Sequence, residues 1–143
     1  MSLPGKPGYV ESDPSWTPQE KWVWGKVQNG EFANFNESRP GAKVLDPMIA
    51  EGWTSERVLT SEFLRSILLD NSYTRAIPPT GIQINGAWFR DLVHLSLLTI
   101  RWPLVFLFCR FDETVSVRRL RTTDSISLRG RSEERRVGKE CRL

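Results

Sequence analysis

GIQINGAWFRDLVHLSLLTIRW (residues 81–102) and PLVFLFCRFDETVSVRRLRTTD (residues 103–124) superpose on a shift of 22 residues, and SISLRG (residues 125–130) begins a third copy. Within each copy, apolar or small residues come in i, i+2 pairs: Ile82/Ile84, Ala87/Phe89, Val93/Leu95, Leu98/Ile100, Leu104/Phe106, Cys109/Phe111, Val115/Val117, Leu120/Thr122 and Ile126/Leu128. Successive pairs step alternately by five and six residues, so four pairs fill one 22-residue repeat. An i, i+2 pair places two side chains on one face of an extended segment. Four such segments per repeat imply a coil with four sides, and stacked coils bury the pairs in a continuous core while satisfying backbone groups between turns. The expectation is a β-solenoid over residues 80–130.

Upstream the period is helical. Thr17-Pro18-Gln19-Glu20 combines a capping threonine, a proline suited to the first helical position and the glutamate of a capping box. The helix it opens is expected to stop at Asn29-Gly30, with Trp22, Val23 and Val27 as its apolar stripe. A second helix is expected over about residues 61–70, because Leu59, Phe63, Leu64, Ile67 and Leu68 fall at helical spacing and Thr60 or Ser61 can cap them. Ile77-Pro78-Pro79 ends it, and residues 31–57, with Arg39-Pro40-Gly41 and Asp46-Pro47, read as an irregular connection. The organisation expected is a disordered leader (1–13), a helical N-terminal cap region (14–79), β coils (80–130) and a separate tail (131–143).

The repeat is similar to the pentapeptide-repeat class, through Ala87-Trp88-Phe89 and Cys109-Arg110-Phe111, where a small inward residue precedes a large one by two positions. That resemblance implies a mainly β fold with an α-helical N-terminal cap: a right-handed, four-sided parallel β-helix, about 22 residues per coil and truncated. Strict members step by five, whereas this chain alternates five and six and lacks the Ala-Asp/Asn-Leu consensus. More closely, WGKVQNGEFANFN (24–36), LTSEFLRSILL (59–69) and GIQINGAWF (81–89) resemble a family of uncharacterised bacterial proteins with imperfect pentapeptide-like repeats, sometimes labelled membrane-associated oxidoreductases.

RSEERRVGKECR (131–142) reads as the in-frame translation of a common short-read sequencing adapter, with Leu143 departing from the serine that would come next. The next inward pair would fall at Arg131 and Glu133, so the repeat and the adapter resemblance change over at one residue. Residues 1–130 are thus expected to be a fragment of a longer protein, and the tail is set aside from the fold. Without its five basic and three acidic residues the formal charge falls from +3 to +1. Arg118, Arg119 and Arg121 are then the one basic group, a solvated edge rather than a phosphate footprint, so nucleic acid is not expected as a partner. A charge near zero also argues against DNA mimicry, which needs a strongly acidic face.

Candidates for chemistry reduce to structural roles. His94 lies between two inward residues and points outward, with no acid–base partner assignable from spacing. Cys109 occupies a small inward position, and with Cys141 in the tail neither a disulfide nor a cysteine metal site is expected. No G-x-G-x-x-G occurs, and Gly81 and Gly86 read as corners. Asp112-Glu113 suits a solvated turn, and Glu31/Glu37 is the other carboxylate pair. Trp16, Trp22, Trp24 and Trp53 are assigned to packing of the helical cap, and Trp88 and Trp102 to outward contacts. No catalytic, cofactor-binding or metal-ligating residue is assigned.

LVHLSLLTIRWPLVFLFC (92–109) has the length of a membrane span, but His94, Arg101 and Pro103 inside it are costly in lipid. Residues 1–15 lack a basic region followed by an apolar one and so do not resemble a secretory signal. A cytoplasmic location is expected, with peripheral membrane contact through Leu92, Leu97, Leu107 and Phe108 as the alternative. The functional expectation is a non-catalytic interaction or scaffold module with an unidentified protein partner, self-associating through its truncated strand edge. The alternative is the scaffold part of a membrane-associated oxidoreductase-like protein whose catalytic segment lies elsewhere.

Overall fold

The computed structural model describes residues 10–37, 44–96, 98–113, 115–116, 120–122 and 126–129. Helix α1 (Pro18–Gln28) opens with the capping box read from sequence: Thr17 Oγ1 accepts from Glu20 N–H, and the Glu20 carboxylate accepts from Thr17 N–H. That carboxylate is 3 % exposed and reaches further. Its second oxygen accepts the N–H (2.9 Å) and the O–H (2.8 Å) of Thr60. Thr60 is itself the N-cap of α2 (Ser61–Leu69), through a bond from Phe63 N–H. A buried carboxylate is tolerable only when hydrogen-bonded, and here three donors satisfy it while fixing the entry of α2 against that of α1.

The apolar face of α2 buries Phe63, Leu64, Ile67 and Leu68, against Val23, Trp24 and Val27 of α1. Trp16 stands edge-on to Phe63 at 4.9 Å and to Trp24 at 6.3 Å, and Tyr73 of the short α3 (Asn71–Thr74) closes the group. Such edge-to-face pairs add roughly 0.5–1.5 kcal/mol each beyond area burial. Trp22 packs on Phe35, and the Arg57 guanidinium lies over Trp53.

The strands are short and all parallel. β3 (Ile82–Asn85), β6 (Leu104–Leu107) and β9 (Ile126–Arg129) run side by side, with β1 (Ala33–Asn34) on the outer edge of β3. β2 (Val58–Leu59), β4 (Trp88–Phe89) and β7 (Arg110–Phe111) form a second sheet, and β5 (Thr99–Ile100) pairs with β8 (Arg121–Thr122) in a third. From β3 onward every register is offset by 22 residues, as in Ile82 with Leu104, Phe89 with Phe111 and Ile100 with Thr122. The inward pairs from Ile82/Ile84 to Cys109/Phe111, and Val115, are buried.

The expectation of a mainly β, right-handed four-sided parallel β-helix with a helical cap is corrected: the described residues form a small α/β fold of three helices and three separate parallel sheets. Two physical reasons stand behind the difference. The region read as an irregular connection supplies β1, which pairs with β3, and β2 follows directly after it and pairs with β4, so helices and sheets share one core. The third set of pairs builds no strand among the described residues; it makes a single bridge, His94 with Ser116, and the N–H and C=O of His94 bond to side chains of α2. The tail at 131–143, with Leu97, Val117, Arg118 and Arg119, lies outside the described residues, as do residues 1–9 of the leader.

Two turns occupy equivalent places 22 residues apart and differ in fitness. Gly86 sits at φ 76° and Phe108 at φ 53°. A left-handed backbone costs a non-glycine residue about 1–2 kcal/mol, and Phe108, 42 % exposed, recovers little of that by burial. Phe108→Gly is therefore expected to stabilise the chain by about 0.5–1 kcal/mol after the extra chain entropy of glycine, read as a higher urea midpoint at unchanged slope. A midpoint that falls would show that the Phe108 ring holds the turn.

Candidate functional site

The outward face of α2 and the segment at residues 91–94 border an open groove of about 660 Å³. Its construction begins with orphan donors. The first N–H groups of a helix have no partner within it, and that of Ser61 donates to both oxygens of the Asp91 carboxylate, at 3.1 and 3.3 Å. Ser61 Oγ, buried, accepts the backbone N–H of His94 at 2.8 Å. One turn on, Arg65 Nη1 donates to the carbonyl of His94 at 2.9 Å. Both backbone groups of His94 are thus occupied by α2.

Serine, aspartate and histidine meet here, and the geometry decides what they do. A nucleophilic serine needs an imidazole nitrogen as acceptor for its proton, and that imidazole needs a carboxylate to orient it. Instead the Ser61 hydroxyl receives a peptide N–H, and Asp91 receives the peptide N–H of Ser61. The exposed imidazole of His94 takes no part in either bond. The three residues clamp the start of α2 onto the sheet-bearing half.

What the groove offers outward is mixed. Leu69 is 60 % exposed at one end and Leu92 39 % exposed across from α2, while Glu62, Asp70 and Asp91 are exposed carboxylates around them. Asp70 caps α3, and the N–H and O–H of Ser72 hold its carboxyl below the usual carboxylate range.

The remaining candidates fall elsewhere. Cys109 is fully buried, with its thiol 3.8 Å from the Ile84 carbonyl. Asp112 and Glu113 are exposed at a turn where Arg110 Nε donates to Asp112 at 3.1 Å. Glu31 and Glu37 are exposed, and bonding to the Asn29 amide, aided by Lys26, lowers the pKa of Glu31. Trp88 is half-buried beneath the Arg90 guanidinium, and Trp102 is half-buried beside the core. Of the residues offered for membrane contact, Leu92 and Phe108 are exposed, Leu107 is half-buried and Leu97 lies outside the described set. Among the described residues no helix is long and apolar enough to cross a membrane, and no three metal-ligating side chains cluster.

A second polar knot is internal. Arg57 Nη1 donates to Asn36 Oδ1 at 2.7 Å and to the Gly86 carbonyl at 3.2 Å, and Asn36 Nδ2 donates to Asn85 Oδ1. Arg57 is 8 % exposed, so these bonds tie the 31–57 segment to the β3–β4 turn and leave little for a ligand. Neither this knot nor the Ser61–Asp91 clasp has a local signature, since their partners lie 21 to 49 residues apart in sequence. Compared with protein-family models, curated proteins and solved structures, the chain matches none.

Proposed function

We propose that the chain is a non-catalytic interaction module that holds a protein partner in the groove between α2 and residues 91–94. The observation that carries this is that two exposed leucines, Leu69 and Leu92, line one groove in which both backbone groups of His94 are already bonded. Exposed apolar side chains beside bonded backbone suit a docking surface: burial supplies affinity, and the His94 peptide groups need no partner from the ligand. A cytoplasmic location is part of this proposal, and the buried thiol of Cys109 is compatible with a reducing compartment.

A photoreactive phenylalanine analogue in place of Leu92, compared with the same analogue at the exposed Glu51, tests the proposal in cells that express the chain. The expected result is an adduct of discrete mass that forms only from position 92. The protein identified in that adduct, once purified, should bind the chain and lose at least tenfold in affinity to Leu69→Lys. Identical adducts from both positions, or an affinity indifferent to that substitution, would overturn the docking role.

A further inference from the structure

We propose, on the basis of the docking role above, that the groove takes a short peptide segment carrying a lysine or arginine next to an apolar side chain. Three exposed carboxylates, Glu62, Asp70 and Asp91, line the same groove as the two exposed leucines. The N–H and O–H of Ser72 stabilise the charged form of Asp70. Asp91 gives lone pairs to Ser61 N–H, yet a carboxylate has about four acceptor sites, and this one remains exposed. The opposing cation, Arg65, is half-buried and directs a guanidinium N–H to the His94 carbonyl. Among the residues that line the groove, three carboxylates thus outnumber one guanidinium, in a chain whose formal charge is +3.

The mode of recognition follows from the backbone. The N–H and C=O of His94 are both bonded to α2, so an incoming strand cannot add to the chain there by main-chain pairing. Side chains must carry the contact: an apolar one between Leu69 and Leu92, and a basic one toward the carboxylates. The groove volume of about 660 Å³ lies within the ~300–1,000 Å³ typical of ligand sites, which suits a few side chains rather than a whole domain. Complementary charge speeds encounter and rejects acidic partners, and apolar burial supplies most of the affinity.

The probe is a phage-displayed library of random heptapeptides, selected on the full chain and counter-selected on the double variant Leu69→Lys/Leu92→Lys. Both leucines are exposed, so the variant keeps its core. The expected survivors place Lys or Arg beside Leu, Ile, Phe or Met. Binding of a surviving peptide should weaken about two- to fivefold with Glu62→Gln, and less so at high salt, as befits an exposed ion pair. Survivors that are acidic or uncharged would overturn this inference and leave the docking role standing. If no peptide depends on Leu69 and Leu92, both fail together.

Discussion

Gly81→Ala is expected to destabilise the chain by roughly 2–5 kcal/mol, enough to unfold much of a marginal domain at 25 °C. Two costs add. Gly81 sits at φ 77°, where an L side chain is strained by about 1–2 kcal/mol. An added Cβ would also lie 2.1 Å from the carbonyl oxygen of Pro103, which is a backbone atom and not the tip of a movable side chain. That same oxygen accepts the N–H of Ile82 at 3.0 Å, the bond that sets β3 in register with β6. Relief of the clash therefore means opening the first rung between the central strands, and overpacking of this kind costs roughly another 1–3 kcal/mol. Gly25→Ala is the control. Gly25 lies inside α1 with nothing within 4 Å of its would-be Cβ, so alanine there should stabilise by up to about 1 kcal/mol through helix propensity. Urea unfolding followed by circular dichroism reads both. Similar midpoints for the two variants would show that the β3–β6 approach is loose and the strain argument mistaken.

The contrast between those glycines also shows which parts of the fold the chain declares locally. The capping box at Thr17 and Glu20, the cap at Thr60 and the buried faces of α1 and α2 are legible because each is a pattern within a few residues. The inward pairs and their 22-residue registers are legible because the repeat is written twice. The architecture is not legible where a residue serves a partner far along the chain. Ala33 and Asn34 show no alternation long enough to announce a strand, yet they complete the edge of β3. The pair Val93/Leu95 has the same spacing as its neighbours, but Asp91 and His94 bond to Ser61 of α2, and among the described residues its pairing with the next repeat is one bridge. The candidate groove inherits that difficulty. His94 was visible as an outward residue, whereas the exposure of Leu69 and Leu92 across one groove depends on how α2 is clamped.

The core of the sheet-bearing half should be as unforgiving as its turns. Phe89 of β4, Phe106 of β6 and Phe111 of β7 come from three strands of two sheets, and all are buried. Phe89 stacks on Phe111 with centroids 5.0 Å apart and planes 6° from parallel, and meets Phe106 edge-on at 5.9 Å. With 0 % exposure, Phe89 has no solvent to fill the space it would vacate. Phe89→Ala is expected to cost roughly 3–5 kcal/mol, from lost transfer energy plus a cavity that three rigid backbone ladders cannot close. Phe89→Leu keeps most of the volume and loses only the ring contacts, so its cost should stay under about 1.5 kcal/mol. Because β4 bonds to both β2 and β7, the damage should appear in one cooperative transition that carries the helices with it, read as coincident loss of tryptophan fluorescence and far-ultraviolet dichroism. Two separated transitions in Phe89→Ala, with the fluorescence of Trp16 and Trp24 surviving the first, would mean that the helical and sheet-bearing halves fold independently despite their shared core.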